Sequence, residues 1–409
     1  MDMKQILIFL TISVGALYFA SNVSAQTGLF QFVDQQTIDK GYTFSYERGA
    51  FLLALPPSAL STPTDVRIAQ EYTKESGMLF VPPPKGAVFA SAVYSYRFSD
   101  TPLLMRAVTI GIASPSSDTL SALYQYNEDK KQWERLSSSR SDGRTFRSLA
   151  GMSHGMFAVL HYENEDAQLT ALLGLSQALL VADTQYHTFV AQNTGESLPL
   201  ASLTKLMTAL VFLDAKGVWD KKITITASDD TQPAKVNFVK GDSVTVRDLF
   251  LSMLVGSKNN SAKALARSTG MSEKEFIKKM NQKARNFGMT QTSFKDVTGL
   301  SKENTASARD TYRLARVALG TRDIKQALLT RSMTVHLLNR KKNLFVQTTD
   351  ELLDTKENVY GKTGYTPEAG YNLALFADQK GKPLIVIVLG APSSEDRFDL
   401  AEAILRHSW

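Results

Sequence analysis

The chain has 409 residues, 43% of them hydrophobic and 21% charged, with a formal net charge of +6. That length calls for two domains, with three possible, and the globular composition excludes a collagen, a coiled-coil rod and a disordered tail. There is no cysteine, the five histidines form no H-E-x-x-H, and no Lys/Arg block exceeds Arg340-Lys341-Lys342. Disulfide staples, thiolate nucleophiles and Cys-bearing zinc sites are therefore excluded, and neither metal hydrolysis nor a nucleic-acid surface is expected.

Residues 1–25 read as an export signal. Lys4 is followed by an apolar stretch, Ile6 to Ala20, and small residues lead to Val23-Ser24-Ala25 before Gln26. The rival reading is an uncleaved membrane anchor over residues 5–20, although that stretch falls short of a full span. Both place the working chain outside the cytoplasm.

Residues 26–166 read as a β-rich accessory domain, sandwich-like. Tyr42, Phe44 and Tyr46 alternate with polar neighbours, as do Leu120, Ala122, Tyr124 and Tyr126, and Met156 to Leu160 has the look of a buried strand. Pro56-Pro57, Pro82-Pro83-Pro84 and the polar run Ser137 to Gly143 punctuate these strands. Trp133 and the tyrosines are expected to pack on strand faces rather than to stack on a glycan. Glu163, Glu165 and Asp166 read as a linker.

Residues 167–409 change in pattern. Strands are expected at Ala178 to Ala182 and Thr188 to Ala191, then a helix after Pro199 with Leu203, Met207, Leu210 and Val211 on one face. Ser272 and Glu275 form a capping box for a helix ending at Gly288, and another helix runs from Ser307 to Gly320. Strands at Tyr371 to Phe376 and Leu384 to Leu389 precede a last amphipathic helix with Phe398, Ala401, Ile404 and Leu405. This predicts an α/β (α+β) domain, one antiparallel sheet covered by helices.

Three short elements of this half carry chemistry. Ser202-Leu203-Thr204-Lys205 is the chain's only S-x-x-K; Ser257-Lys258-Asn259 follows 55 residues on, and Lys362-Thr363-Gly364 lies 160 residues after Ser202. An S-x-x-K alone is nearly worthless, but the three in this order form a strong signal. Residues three apart share a helix face, so Lys205 can reach the Ser202 hydroxyl and serve as its base, provided burial or a second cation disfavours its charged form. Lys362 is a candidate for that cation and for presenting charge to a substrate carboxylate, which the Thr363 hydroxyl would also hold. Ser257 is placed to relay a proton to a leaving amine, and Asn259 to anchor both Lys205 and a substrate amide. An edge strand following Lys362 would leave backbone N–H groups free, and those of Tyr365 and Ser202 are candidates for an oxyanion hole; Gly364, which closes the third motif, counts with Tyr365 among the substrate-binding residues.

With these motifs, residues 170–409 resemble the low-molecular-weight penicillin-binding proteins, the serine D-Ala-D-Ala carboxypeptidase (peptidase S11) family. Further matching segments are Phe287-Gly288-Met289-Thr290, Gly299-Leu300-Ser301, Ser307-Ala308-Arg309-Asp310 and Gly361 to Tyr365. The resemblance implies a β-lactamase/transpeptidase-like fold and an acyl-enzyme on Ser202. It also implies peptidoglycan stem peptides as substrate, covalent inhibition by β-lactam antibiotics, and no metal or organic cofactor. The chain departs from many such carboxypeptidases by placing its β-rich domain first and ending 45 residues after Gly364. Gly299 to Asn304 is also similar to the DD-endopeptidase branch, which leaves open whether a terminal D-Ala-D-Ala bond or a cross-link is cut. A catalytically idle envelope-binding protein on the same fold is the alternative from a different class.

Overall fold

The computed structural model describes residues 28–72, 82–99, 102–115, 120–136, 138–140, 144–231, 238–354, 358–379 and 381–407. The expected export signal lies outside them. The chain divides into two compact units, Met1–Gln168 and Leu169–Trp409.

In the first unit two antiparallel sheets enclose one core. One runs in the order Gly28–Val33, Thr64–Tyr72, Val93–Phe98, His154–Tyr162, Ser121–Asn127, Gln132–Arg135, with Ala87–Phe89 also paired to His154–Tyr162. The other runs Ser139–Arg140, Thr145–Ala150, Val108–Ala113, Phe51–Leu55, Tyr42–Tyr46. Alternate residues turn inward: Val66, Ile68, Tyr96, Phe98, Phe157 and Val159 from one sheet meet Phe44, Phe51, Leu53, Ile110 and Ile112 from the other. Trp133 is buried against Phe89 and Tyr126, with ring centroids 5.6 and 5.5 Å away, which is strand-face packing as expected. The polar run read as punctuation includes a short strand, Ser139–Arg140, paired with Arg147 and Phe146.

The charged residues read as a linker instead open a helix, Glu165–Leu173. Ala167 N donates to Asn164 Oδ1 at 2.8 Å, and Glu165 and Asp166 occupy the first turn, where the helix dipole favours negative charge. Acidic residues suit a helix start as well as a linker, so composition alone did not separate the two.

The second unit is built on a five-stranded antiparallel sheet. Its strands are β1 (Ala178–Asp183), β2 (Thr188–Gln192), β3 (Val359–Thr366), β4 (Gly370–Gln379) and β5 (Lys382–Ala391), in the order β2-β1-β5-β4-β3. Helices α1 (Thr204–Asp214), α2 (Val246–Val255), α3 (Asn259–Ser268), α4 (Glu273–Asn286) and α5 (Ala308–Gly320) precede β3, and α6 (Ser394–Arg406) ends the unit. Leu179, Val181, Leu373, Leu375, Val386 and Val388 pack under Phe398, Leu400, Ala401 and Ile404 of α6. The alternate set Ala178, Leu180, Ala374, Ile385 and Ile387 packs on the helical core. Ser272 and Glu275 form the expected capping box, and Ser307 accepts from Asp310 N at the head of α5.

Helix α1 differs from its expected one-sided pattern, because every residue from Thr204 to Phe212 is buried. It runs through the middle of the unit among α2, α3, α4 and α5. A helix walled in on every side is dry on every side, and this sets the environment of Lys205. Among the described residues no helix is long and apolar enough to cross a membrane.

Candidate active site

Ser202 stands in a 3-10 turn, Ala201–Leu203, that runs directly into α1. The approach is tightly wound: Ala201 is a non-glycine residue at φ +48°. Two backbones crowd this turn. Gly299, at φ +93°, passes so near that a Cβ there would lie 1.9 Å from Ala201 O. On β3, a Cβ at Gly364 would lie 2.9 Å from Leu200 O and 3.1 Å from Ser202 N. Glycine at 299 is thus demanded both by conformation and by contact.

One turn into α1, Lys205 is fully buried. Its Nζ lies 2.8 Å from Ser202 Oγ, 2.7 Å from Asn259 Oδ1 and 2.6 Å from Thr298 O. Burial lowers the amine from 10.5 to about 7, with the charge of Asp296 pulling the other way. Of the two causes considered from sequence, burial therefore acts rather than repulsion from Lys362. Three acceptors suit the three N–H groups of an ammonium. When the amine is neutral, its two N–H groups serve Asn259 and Thr298, and its lone pair faces the Ser202 hydroxyl, which then donates. One arrangement of heavy atoms accommodates both protonation states.

A short loop holds this geometry. Asp296 Oδ1 accepts from Thr298 N (2.5 Å), Thr298 Oγ1 (2.8 Å) and Gly299 N (2.7 Å), and Oδ2 accepts from Ser301 N (2.6 Å). Asn304, fully buried, accepts from the N–H groups of Lys295 and Asp296 and donates to Thr204 Oγ1 and Asp296 O. The loop thereby presents the Thr298 carbonyl to Lys205 and lays Gly299 against Ala201.

The second lysine comes from the edge strand β3. Lys362 Nζ donates to Ser257 Oγ and to Thr363 O, each at 2.8 Å. Ser257, at φ +55°, occupies the turn between α2 and α3, and Asn259 opens α3. Ser257 is therefore partnered by Lys362, not by Lys205. Thr363 Oγ1 donates to Thr349 Oγ1 at 2.6 Å.

Ser202, Ser257, Asn259, Thr363, Gly364 and Tyr365, among others, line a cleft of about 720 Å³. Both lysines, 0% and 1% exposed, sit behind this wall, so their amines reach the cleft through the hydroxyls and the amide that they contact. All eight residues singled out from sequence converge here. Asp296, Thr298 and Asn304 were missed as positioning groups, although a dense run of turn formers from Asp296 to Ser301 marks the loop. Also missed were two buried charged residues on the cleft, Asp350 and Arg397. Arg397 Nη1 reaches the carbonyls of Gly364 and Asn372 at 3.3 and 3.4 Å, and Nη2 donates to Ser394 Oγ at 2.8 Å. Burial pushes the Asp350 carboxyl up to about 6, although Arg397 and Lys362 both favour its charged form. Neither belongs to a recognisable sequence motif.

A family model described as D-alanyl-D-alanine carboxypeptidase matches residues 169–393. The D-alanyl-D-alanine endopeptidase of Haemophilus influenzae is 34% identical over 233 residues, 55% of this chain and 78% of the relative. The D-alanyl-D-alanine carboxypeptidase DacF of Bacillus subtilis is 31% identical over 259 residues, covering 61% and 66%. Among solved structures, the Streptomyces K15 DD-transpeptidase aligns with a TM-score of 0.54 at 27% identity, covering 57% of this chain and 96% of that one. Penicillin-binding protein D2 of Listeria monocytogenes, in its ampicillin-bound form, aligns with a TM-score of 0.50 at 28% identity, covering 56% and 96%.

Proposed function

The chain belongs to the D-alanyl-D-alanine carboxypeptidase family, peptidase S11, and is a serine-type DD-peptidase; on that premise we propose how its residues divide the work. The observation that carries the reading is the 2.8 Å contact between Ser202 and a fully buried Lys205 whose amine titrates near neutrality. Neutral Lys205 takes the Ser202 proton as Oγ bonds the carbonyl carbon of a D-Ala-D-Xaa peptide bond. The N–H groups of Ser202 and Tyr365 hold the resulting oxyanion. The C–N bond then breaks as the departing amine takes up the proton that Lys205 gained, relayed by the Ser257 hydroxyl, which Lys362 Nζ supports from behind; Lys205 is left neutral again. Water hydrolyses the ester on Ser202, with Lys205 again as base. Asn259 fixes Lys205 and holds a substrate amide, while Thr363, with the positive field of Lys362 and Arg397, receives the substrate carboxylate.

The bond we assign is the terminal D-Ala-D-Ala bond of peptidoglycan stem peptides. Cleavage of cross-links is the second reading, favoured by the Haemophilus influenzae relative, which is named as an endopeptidase. β-Lactams would acylate the same serine, as the ampicillin-bound form of the Listeria monocytogenes neighbour suggests. We assign the chain to the outside of the cytoplasmic membrane, delivered by the apolar leader over residues 1–25, with residues 26–166 as an accessory unit.

Intact mass after exposure to benzylpenicillin tests the mechanism. A stoichiometric adduct on the wild-type chain and none on folded Ser202→Ala is the expected result; an unmodified, folded wild-type chain overturns it. Digestion of pentapeptide against cross-linked muropeptides then separates the two bonds.

A further inference from the structure

The outer face of the larger sheet of the first unit carries an ordered row of side chains. Phe30 pairs in register with Arg67, Arg67 with Arg97, and Arg97 with His154, so the row crosses four neighbouring strands. At ~4.8 Å per strand step it spans roughly 14 Å. The flanking residues Val66, Ile68, Tyr96, Phe98 and Phe157 turn into the core, which sends the row outward. At the edge strand Phe30 and its neighbour Phe32 are 66% and 59% exposed, and the Arg67 guanidinium lies 5.6 Å from the centre of the Phe30 ring. Arg97 is exposed and forms no ion pair among the described residues. Beside the row is a concavity of about 300 Å³ shared by Arg67, Arg97, His154, Met156, Glu71 and Glu128. Glu71 is held by Ser95 Oγ at 2.6 Å.

Arg97 has no carboxylate partner among the described residues, and two adjacent phenylalanines exposed to water gain nothing by staying there. A ligand that offers anionic groups and flat apolar ring faces along one line relieves both. We infer that this row is a binding site for the glycan strand of peptidoglycan, with Phe30 and Phe32 against sugar rings and Arg67, Arg97 and His154 against carboxylates carried on the strand. The assignment of peptidoglycan as occupant rests on the function proposed above, because the second unit acts on that polymer. A second hold on the same polymer raises the effective concentration of stem peptides at Ser202 without altering its chemistry.

The test is co-sedimentation of the full chain with purified sacculi. Wild type, Arg97→Glu and the double variant Phe30→Ser/Phe32→Ser are compared, and benzylpenicillin acylation is measured on each. We expect sacculus binding to fall at least tenfold in both variants while the acylation rate stays within twofold of wild type, and wild-type binding to weaken as salt rises. Unchanged sacculus binding in the variants overturns the site. Binding that vanishes once sacculi are stripped of attached phosphate polymers overturns peptidoglycan as the occupant. A wild-type chain that binds sacculi through the row but is never acylated keeps the site and refutes the catalytic reading instead. If a variant also loses acylation, far-UV circular dichroism and Arg97→Gln replace it; unchanged binding by a folded Arg97→Gln again overturns the site.

Discussion

The rate of Ser202 acylation should follow the ionisation of Lys205. An exposed lysine near 10.4 leaves only about one amine in 2,500 neutral at pH 7. At about 7, the value imposed by burial, about half the amines are neutral at that pH. The gain in competent base is on the order of a thousandfold, equivalent to about 4 kcal/mol of barrier. Benzylpenicillin acylation, followed by stopped-flow or a fluorescent penicillin, should therefore rise about tenfold per pH unit below pH 6 and level off above about pH 8. Lys205→Arg, whose guanidinium stays charged, should slow acylation by at least ~1,000-fold. Because Asp296 raises the Lys205 pKa, Asp296→Asn should move the midpoint to lower pH. A wild-type rate flat from about pH 5 to 9 would refute a neutral lysine base. The same burial has a stability signature. Between about 7 and 10.5 the unfolded chain binds the Lys205 proton and the folded chain does not, so this residue's contribution improves as pH rises through that window. Below the window its full penalty, roughly 5 kcal/mol, applies. The denaturation midpoint of wild type relative to Lys205→Met should climb across that range.

Three further outcomes test the surrounding geometry. Gly299→Ala places a methyl group 1.9 Å from Ala201 O at φ +93°, and should destabilise the chain by about 2–3 kcal/mol and slow acylation over a hundredfold. Thermal melts with acylation kinetics read both effects, and a wild-type-like rate would show that the close approach does not shape the Ser202 turn. Asn304→Ala strips four hydrogen bonds from a fully buried position, and should lower stability by about 2–4 kcal/mol in chemical denaturation. A loss under about 0.5 kcal/mol would mean that the loop holds itself. As pH rises through about 6, Asp350 gains a negative charge that offsets Lys362 and Arg397, so KM for a substrate ending in a carboxylate should rise. Asp350→Asn should remove that limb, a change of roughly fivefold, and leave the Lys205-dependent limb of kcat in place. Identical KM profiles in the two proteins would exclude Asp350 from substrate binding.

Much of this arrangement was legible from local chemistry. Ser202 and Lys205 are three residues apart on a helix, and that spacing alone puts the amine at the hydroxyl. Capping at Ser272 and Ser307, and the apolar strand segments Tyr371–Phe376 and Leu384–Leu389, are equally local, because each depends on hydrogen bonds or composition within a few residues. The motif order Ser202, Ser257, Lys362 pointed to one site, and the three elements do meet at one cleft.

What local chemistry left undecided depends on contacts far apart in sequence. Lys205 has a lowered pKa because α1 is walled in by four other helices, a property of packing that no window around residue 205 contains. Ser257 turned out to face Lys362 because β3 is an edge strand lying beside the turn between α2 and α3. Arg397 and Asp350, which belong to no motif, become cleft groups only when α6 and the segment before β3 close over the same sheet end. The helix at Glu165 shows the opposite failure, where a local acidic signal fitted two structures and burial of Leu169 and Leu172 chose between them. Sequence by itself picked out groups that meet at one cleft, since spacing on a helix and turn formers act over a few residues. Only the tertiary structure decided their charge states and partners, since desolvation and long-range hydrogen bonds exist only once distant segments have packed together.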